Sequence, residues 1–207
     1  MSDSTKAYLV VTVGRQTLEV DALTRALRRG RIACVLLQPE AGHAADRELL
    51  EPLVLAIQAA DCAALITDDA RLALAIGADG VHLHYEPDSD LAEKQFRAAR
   101  AVLGDGRIVG AGCGLARHNA MVLAELGADY VALGHAAVDD PEARLEMVGW
   151  WAEMFAVPCV AWNVADAGAV GPLVMAGVDF VASGPDAGLA LAIEILAALD
   201  LSRGGSR

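Results

Sequence analysis

This sequence predicts a single-domain α/β protein, a closed (β/α)8 TIM barrel, and three observations lead there. First, the segment Leu72–Leu83 returns as Val122–Leu133 and again as Pro172–Ser183, with glycines at 77, 127 and 177, 50 residues apart. Each copy is an apolar helix end, a glycine suited to the left-handed turn after a helix, an aspartate, then a short apolar strand. Second, eight short apolar runs alternate with eight segments of helical spacing. Third, 207 residues that are 55% hydrophobic suffice for one core, and no Ser/Pro-rich linker divides them. A doubly wound open sheet of flavodoxin type is the alternative, but eight units this short close more readily than they stay open. The barrel is assigned to residues 1–201, with a frayed Gly/Ser-rich tail at 202–207.

The elements are predicted in order as follows. Residues 7–13 form an unbroken, β-branched apolar run, suited to a strand buried on both faces. Ala22, Leu23, Ala26 and Leu27 stand at helical spacing within 21–29, and Gly30 closes that helix. The second strand is predicted over 32–37, ended by Pro39, and a loop with Gly42 and His43 leads to a helix over 46–60. The third strand falls at 63–67. Asp68 or Asp69 caps a short helix to Ile76, and 80–84 is the fourth strand. Ser89 or Asp90 caps the next helix, to Leu103, and Gly104-Asp-Gly106 turns the chain into a fifth strand at 108–111. A helix ending at Leu126 precedes the sixth strand, 130–133. Asp139-Asp-Pro141 opens a helix through Phe155, and Pro158 introduces the seventh strand, 159–162. Residues 166–176 read as helical despite Gly168, Gly171 and Pro172; the eighth strand is 180–183 and the last helix 187–199.

The net charge of −12 argues against nucleic acid and anionic membranes as partners and leaves a small-molecule ligand. No apolar run approaches the ~18 residues that span a bilayer. The polar opening, Met1-Ser-Asp-Ser-Thr-Lys6, lacks a signal-peptide layout, so a cytoplasmic location is expected. Cys34, Cys62, Cys113 and Cys159 are scattered without a C-x-x-C pair and read as reduced core thiols, Cys113 being the one that reaches towards a cleft.

In such a barrel, chemistry belongs to the loops at the C-terminal ends of the strands. The 50-residue echo sits at the opposite face, so Asp79, Asp129 and Asp179 are expected to bond backbone amides there. At the catalytic face the strand ends offer Gln38 and Glu40, Thr67, Asp68 and Asp69, His84, Tyr85 and Glu86, then Cys113, His135 and Asp139. The last two strands add Trp162, Asn163, Ser183, Gly184 and Asp186. The substrate-binding candidates among them are Gln38, Thr67, His84, Cys113, His135, Asn163, Ser183 and Gly184. Asp68, Glu86 and Asp88 have the oxygen donors that Mg²⁺ prefers, although Asp69 and Asp88 read more readily as helix caps and Asp68 reads as either. His82 is expected to be a hydrogen-bonded core residue. Phosphate binding after strand eight is only weakly signalled, because Pro185 removes an amide donor and Asp186 repels an anion.

Leu65-Ile-Thr-Asp-Asp69, followed by Leu72-Ala-Leu-Ala-Ile-Gly-Ala-Asp-Gly-Val-His-Leu83, resembles the thiamine phosphate synthase and TenI-like family. Tyr8-Leu-Val-Val, Ile108-Val-Gly110, Gly127–Gly134, Val157–Ala161 and Ala176-Gly-Val-Asp179 extend the likeness over nearly the whole chain. The resemblance implies a (β/α)8 barrel, often a homodimer, that joins an aminopyrimidine diphosphate to a thiazole phosphate and releases pyrophosphate held by Mg²⁺ and basic groups. TenI-like members instead aromatise the thiazole phosphate without metal chemistry. Matched by position, the family's metal-binding aspartate after strand three falls on Asp68. The second falls on Pro87, flanked by Glu86 and Asp88. The basic residues after strand two fall on Gln38 and Glu40, the Ser and His after strand five on Gly112 and Gly114, and the Gly-Gly after strand seven on Asn163-Val164. A departing pyrophosphate needs its charge neutralised, so the expectation is a retained fold with a weak or absent synthase reaction. Three readings follow: a synthase with a rearranged site, a non-catalytic binding barrel, and a barrel enzyme using His84, His135 and carboxylates for proton transfer on an uncharged or cationic substrate. The pair Trp150-Trp151 marks either a partner surface or helix-to-barrel packing.

Overall fold

The computed structural model describes residues 5–14, 20–28, 31–40, 46–134, 140–184 and 188–204. Its strands are β1 (Lys6–Val13), β2 (Ile32–Pro39), β3 (Ala63–Thr67), β4 (Gly80–Leu83), β5 (Ile108–Gly114), β6 (Tyr130–Leu133), β7 (Cys159–Val164) and β8 (Phe180–Ser183). They pair in parallel, each with its sequence neighbours, and β1 closes on β8. The helices that return the chain are α1 (Val20–Leu27), α2 (Arg47–Gln58), α3 (Ala70–Ala75), α4 (Ser89–Leu103), α5 (Arg117–Glu125), α6 (Pro141–Met154), α7 (Val170–Met175) and α8 (Gly188–Gly204). The predicted (β/α)8 barrel is the fold.

Strand alternation divides the core in two. Outward side chains such as Leu9, Val35, Ile66, Val81 and Val131 pack under the helices. Inward ones, among them Tyr8, Leu36, Leu65, Tyr130 and Trp162, fill the barrel. Tyr130 reaches across the interior because Gly110 has no side chain; a Cβ there would overlap the Tyr130 ring.

The repeated motif is structural. Gly77, Gly127 and Gly177 have φ of 73°, 91° and 92°, the left-handed turn that glycine enters without steric cost. The aspartate two residues on accepts a backbone amide at the start of the preceding strand. Asp79 Oδ2 bonds Ala64 N at 2.7 Å, Asp129 Oδ2 bonds Val109 N at 2.8 Å, and Asp179 Oδ2 bonds Cys159 N at 2.9 Å. Each carboxylate thereby clamps two adjacent strands at the N-terminal face.

Several boundaries differ from the sequence pattern. Residues 166–176 divide into a 3-10 turn at Ala167–Ala169 and then α7, where Gly168 and Gly171 weaken the α-helix. The fifth and seventh strands run on to Gly114 and Val164, and α8 continues to Gly204, so residues 202–204 are helical and 205–207 lie outside the described residues. The cap of α4 is Asp88, which accepts from Asp90 N and Leu91 N, not Ser89 or Asp90. Trp151 is fully buried, and Trp150 lies under the Arg117 guanidinium at 4.6 Å, which is helix packing. Among the described residues, no helix is long and apolar enough to cross a membrane.

Candidate active site

The C-terminal ends of β3 and β4 carry the most developed chemistry. After Thr67 the backbone turns through Asp68 at φ +55°, a left-handed conformation that costs a non-glycine residue about 1 kcal/mol or more. That turn sends the Asp68 carboxylate across to the next strand. Its Oδ1 accepts His84 N at 2.8 Å, and its Oδ2 lies 2.7 Å from His84 Nδ1. Asp69 caps α3, accepting Leu72 N at 2.8 Å. The two neighbouring aspartates therefore divide the roles: Asp69 caps the helix and Asp68 holds the histidine.

The pairing changes both groups. The hydrogen bond to Asp68 raises the His84 pKa against the opposing effect of partial burial, and the Asp68 charge adds to it. Burial pushes the Asp68 carboxyl up, but the hydrogen bonds and charge of His84 outweigh it and leave the carboxyl below its usual value. With Nδ1–H donated to the carboxylate, Nε2 holds the lone pair of the neutral ring. An imidazole oriented by a carboxylate is a general base whose protonated form is stabilised in place.

Below this pair lies an aromatic floor. His82 is 1% exposed and stacks on Trp162 with ring centroids 4.5 Å apart. Its Nδ1 is 3.0 Å from the Tyr130 hydroxyl, which is 2.8 Å from that of Tyr8. Burial, with a smaller push from His84, lowers the His82 pKa to about 3, so it is neutral at ordinary pH. The expected core histidine is thus hydrogen-bonded, while its Nε2 has no hydrogen-bond partner among the described residues.

The remaining candidates fall in three places. Gln38 and Thr67 end the adjacent strands β2 and β3; the Thr67 hydroxyl donates to Leu37 O at 3.5 Å, and Gln38 Oε1 is buried without a hydrogen bond among the described residues. Asn163, at φ +56°, lays its Oδ1 over Gly184, where a Cβ would collide with it; Ser183 alongside is 1% exposed. Cys113 does not reach a cleft. It is fully buried, and burial pushes its thiol pKa up to about 12. His135, Asp139 and Asp186 lie outside the described residues.

The three carboxylates considered for Mg²⁺ are not brought together as a chelating group. Both Asp68 oxygens are taken by His84, Asp88 Oδ1 caps α4, and Glu86 Oε1 accepts Asp88 N at 3.1 Å. Among the described residues no group of three His, Cys, Asp or Glu side chains is arranged to hold a metal ion.

A cation was missed in the sequence. Arg144, on α6, is 2% exposed and donates from Nη1 to Asn163 O at 3.2 Å, placing a guanidinium at the end of β7. The signal was its place in the stripe Arg144, Met147, Val148, Trp151, the buried face of that helix. The Asp68–His84 pair itself lines a cleft of about 700 Å³ between α3 and α4.

The family model described as thiamine monophosphate synthase matches residues 7–184. The chain belongs to the thiamine monophosphate synthase family. It is 40% identical over 169 residues to a thiamine-phosphate synthase of Rhodospirillum centenum, covering 77% of each chain. It is 35% identical over 189 residues to that of Erythrobacter litoralis, covering 86% of this chain and 85% of the relative. The thiamine phosphate pyrophosphorylase of Pyrococcus furiosus shares the fold, with a TM-score of 0.73 at 23% identity over 97% of this chain and 98% of its own.

Proposed function

We propose that this member of the thiamine monophosphate synthase family is a metal-independent acid–base enzyme that moves a proton within a small heterocyclic ligand, in the manner of the TenI-like branch. The commitment of both Asp68 oxygens to His84, at 2.7 and 2.8 Å, carries the reading. His84 Nε2 takes a proton from a C–H or N–H of the ring and becomes an imidazolium held by Asp68. The electron pair left on the ligand moves through the ring to the atom that takes the proton back. No group leaves, so no pyrophosphate clamp is required. Gln38 and Glu40, which the resemblance sets where the family carries basic residues, fit a reaction that expels no anion.

A second reading, the condensation itself, is favoured by the 40% identity to a relative named as a synthase. One paired assay separates them, using the native protein, Asp68→Ala and His84→Gln. Pyrophosphate release from aminopyrimidine diphosphate and thiazole phosphate with Mg²⁺ is expected to be absent from all three. Aromatisation of the thiazole phosphate, followed by ultraviolet absorbance, is expected from native protein and reduced ~10²-fold or more in both variants. Metal-dependent pyrophosphate release lost in Asp68→Ala would overturn the acid–base reading in favour of the synthase.

A further inference from the structure

We infer that His82 is the second working group of the site, its Nε2–H donating a hydrogen bond to the ligand ring while His84 removes the proton. The catalytic half of this rests on the acid–base reading, but the geometry stands on its own. His84 follows His82 by two positions at the end of β4, so strand alternation turns both side chains to the same side, with ring centroids 6.1 Å apart. His82 is held from two directions. Trp162 stacks on it at 4.5 Å with the ring planes 13° apart, and the Tyr130 hydroxyl meets Nδ1 at 3.0 Å. The two nitrogens of an imidazole point in nearly opposite directions, so Nε2 is turned away from Tyr130. It is buried and has no hydrogen-bond partner among the described residues. An unpartnered polar atom at such a depth is costly, and a bound ligand that supplies the partner removes the cost.

The hydrogen-bond chain sets the tautomer. Tyr8 and Tyr130 have one hydroxyl hydrogen each, and their oxygens are 2.8 Å apart. A phenol is a stronger acid than the N–H of a neutral imidazole, and the bare imidazole nitrogen is a better acceptor than a phenol oxygen. Tyr8 therefore donates to Tyr130, Tyr130 donates to Nδ1, and the ring hydrogen resides on Nε2. Burial keeps this ring neutral, where an imidazolium would face the cation forming on His84. The two histidines thus divide the work by their surroundings: His84, partnered by Asp68, gains a proton, while His82, partnered by a phenol, only donates. As His84 draws the proton away, negative charge gathers on a heteroatom of the ligand ring, and the Nε2–H meets it. That N–H bond stays intact, so the balance of the proton transfer is unchanged. A neutral donor does not repel the ligand's phosphate, and exclusion of water strengthens its hydrogen bond.

The test is ¹⁵N NMR of histidine-labelled protein with thiazole phosphate as the probe, run beside aromatisation kinetics. The free protein is expected to show His82 as the neutral Nε2–H tautomer, and saturating thiazole phosphate to shift the Nε2 resonance and leave Nδ1 in place. His82→Phe, which keeps a ring against Trp162, is expected to lower kcat ~10²-fold. KM is expected to stay within about twofold, the mark of an interaction made in the transition state alone. His82→Gln, whose amide N–H stands near the place of Nε2, is expected to restore kcat to within about tenfold of native. Should His82→Phe fail to fold, Tyr130→Phe removes the hydroxyl that fixes the tautomer and is expected to mix the two tautomers and lower kcat several-fold. An Nδ1–H tautomer in native protein, an Nε2 resonance that bound thiazole phosphate leaves unmoved, or native kcat in His82→Phe overturns the inference. A shifted Nε2 in protein that aromatises nothing would leave the donor standing as a binding group and refute the acid–base reading. Aromatisation with Nε2 unmoved would do the reverse, and protein that binds no thiazole phosphate would refute both.

Discussion

Replacing Asp129 by alanine tests what the 50-residue repeat is for. In the native chain Asp129 Oδ2 accepts the amide of Val109, a fully buried residue at the start of β5, at 2.8 Å. The same oxygen pairs with Arg100 Nη2 at 2.7 Å. A hydrogen bond to a charged acceptor contributes about 1.5–3 kcal/mol, and its loss orphans an amide beside the core. The Asp129 side chain is 45% exposed, so water replaces part of the loss, and the ion pair with Arg100 adds little. The expected cost is about 2 kcal/mol, the lower half of the range for a charge-assisted bond. In a domain of this size that lowers Tm by about 4–8 °C. Urea denaturation followed by circular dichroism measures it, with the midpoint moving and the slope unchanged. Asp129→Asn keeps an acceptor oxygen and is expected to lose about half as much, about 1 kcal/mol. Asp105→Ala, in the exposed turn before β5, controls for loss of a surface charge and is expected to cost under about 0.5 kcal/mol. An Asp129→Ala protein within about 0.5 kcal/mol of native would refute the clamp and return the repeat to an unexplained pattern.

Two further predictions concern the barrel interior and its pH response. Gly110→Ala forces a methyl into the space of the Tyr130 ring and is expected to destabilise by about 2–3 kcal/mol, read from the same urea curves; a cost below 1 kcal/mol would mean the ring moves freely. His82, with its pKa lowered to about 3, is neutral in the fold while the unfolded chain binds a proton below about pH 6.5. Its contribution is therefore complete above pH 6.5 and is lost as pH falls towards 3, by at most about 1.4 kcal/mol per pH unit. His84 acts with the opposite sign: its raised pKa contributes stability below pH 6.5 that is lost as pH climbs through the raised value. His82→Phe is expected to flatten the acid limb of stability against pH, and His84→Gln the limb above pH 6.5. Unchanged limbs in these variants would remove both assignments.

The elements most legible in the sequence were those with a local cause. The bounds of β3, β6 and β8 coincide with the apolar runs 63–67, 130–133 and 180–183, because each is bracketed by a helix-ending glycine or a polar turn. For α4 the sequence offers Asp88, Ser89 and Asp90, all capable caps, and only backbone geometry chooses Asp88 among them. Cys113 was misread for a related reason. The fifth strand runs past Ala111 to Gly114, which carries the thiol into the core.

By itself the sequence determined the barrel, the family, and the structural role of the aspartates at 79, 129 and 179, because periodicity and turn chemistry act over a few residues. It also placed Asp68 and His84 at the catalytic face. That the two meet was decided by tertiary structure, since the contact needs a left-handed turn at Asp68 and the register of β3 against β4. The same holds for the Tyr8–Tyr130–His82 chain, which joins residues 122 and 48 positions apart across the barrel. The burial of Arg144 likewise depends on which face of α6 turns inward. Such contacts carry no local signature, because closure of the barrel brings together groups that the chain keeps far apart.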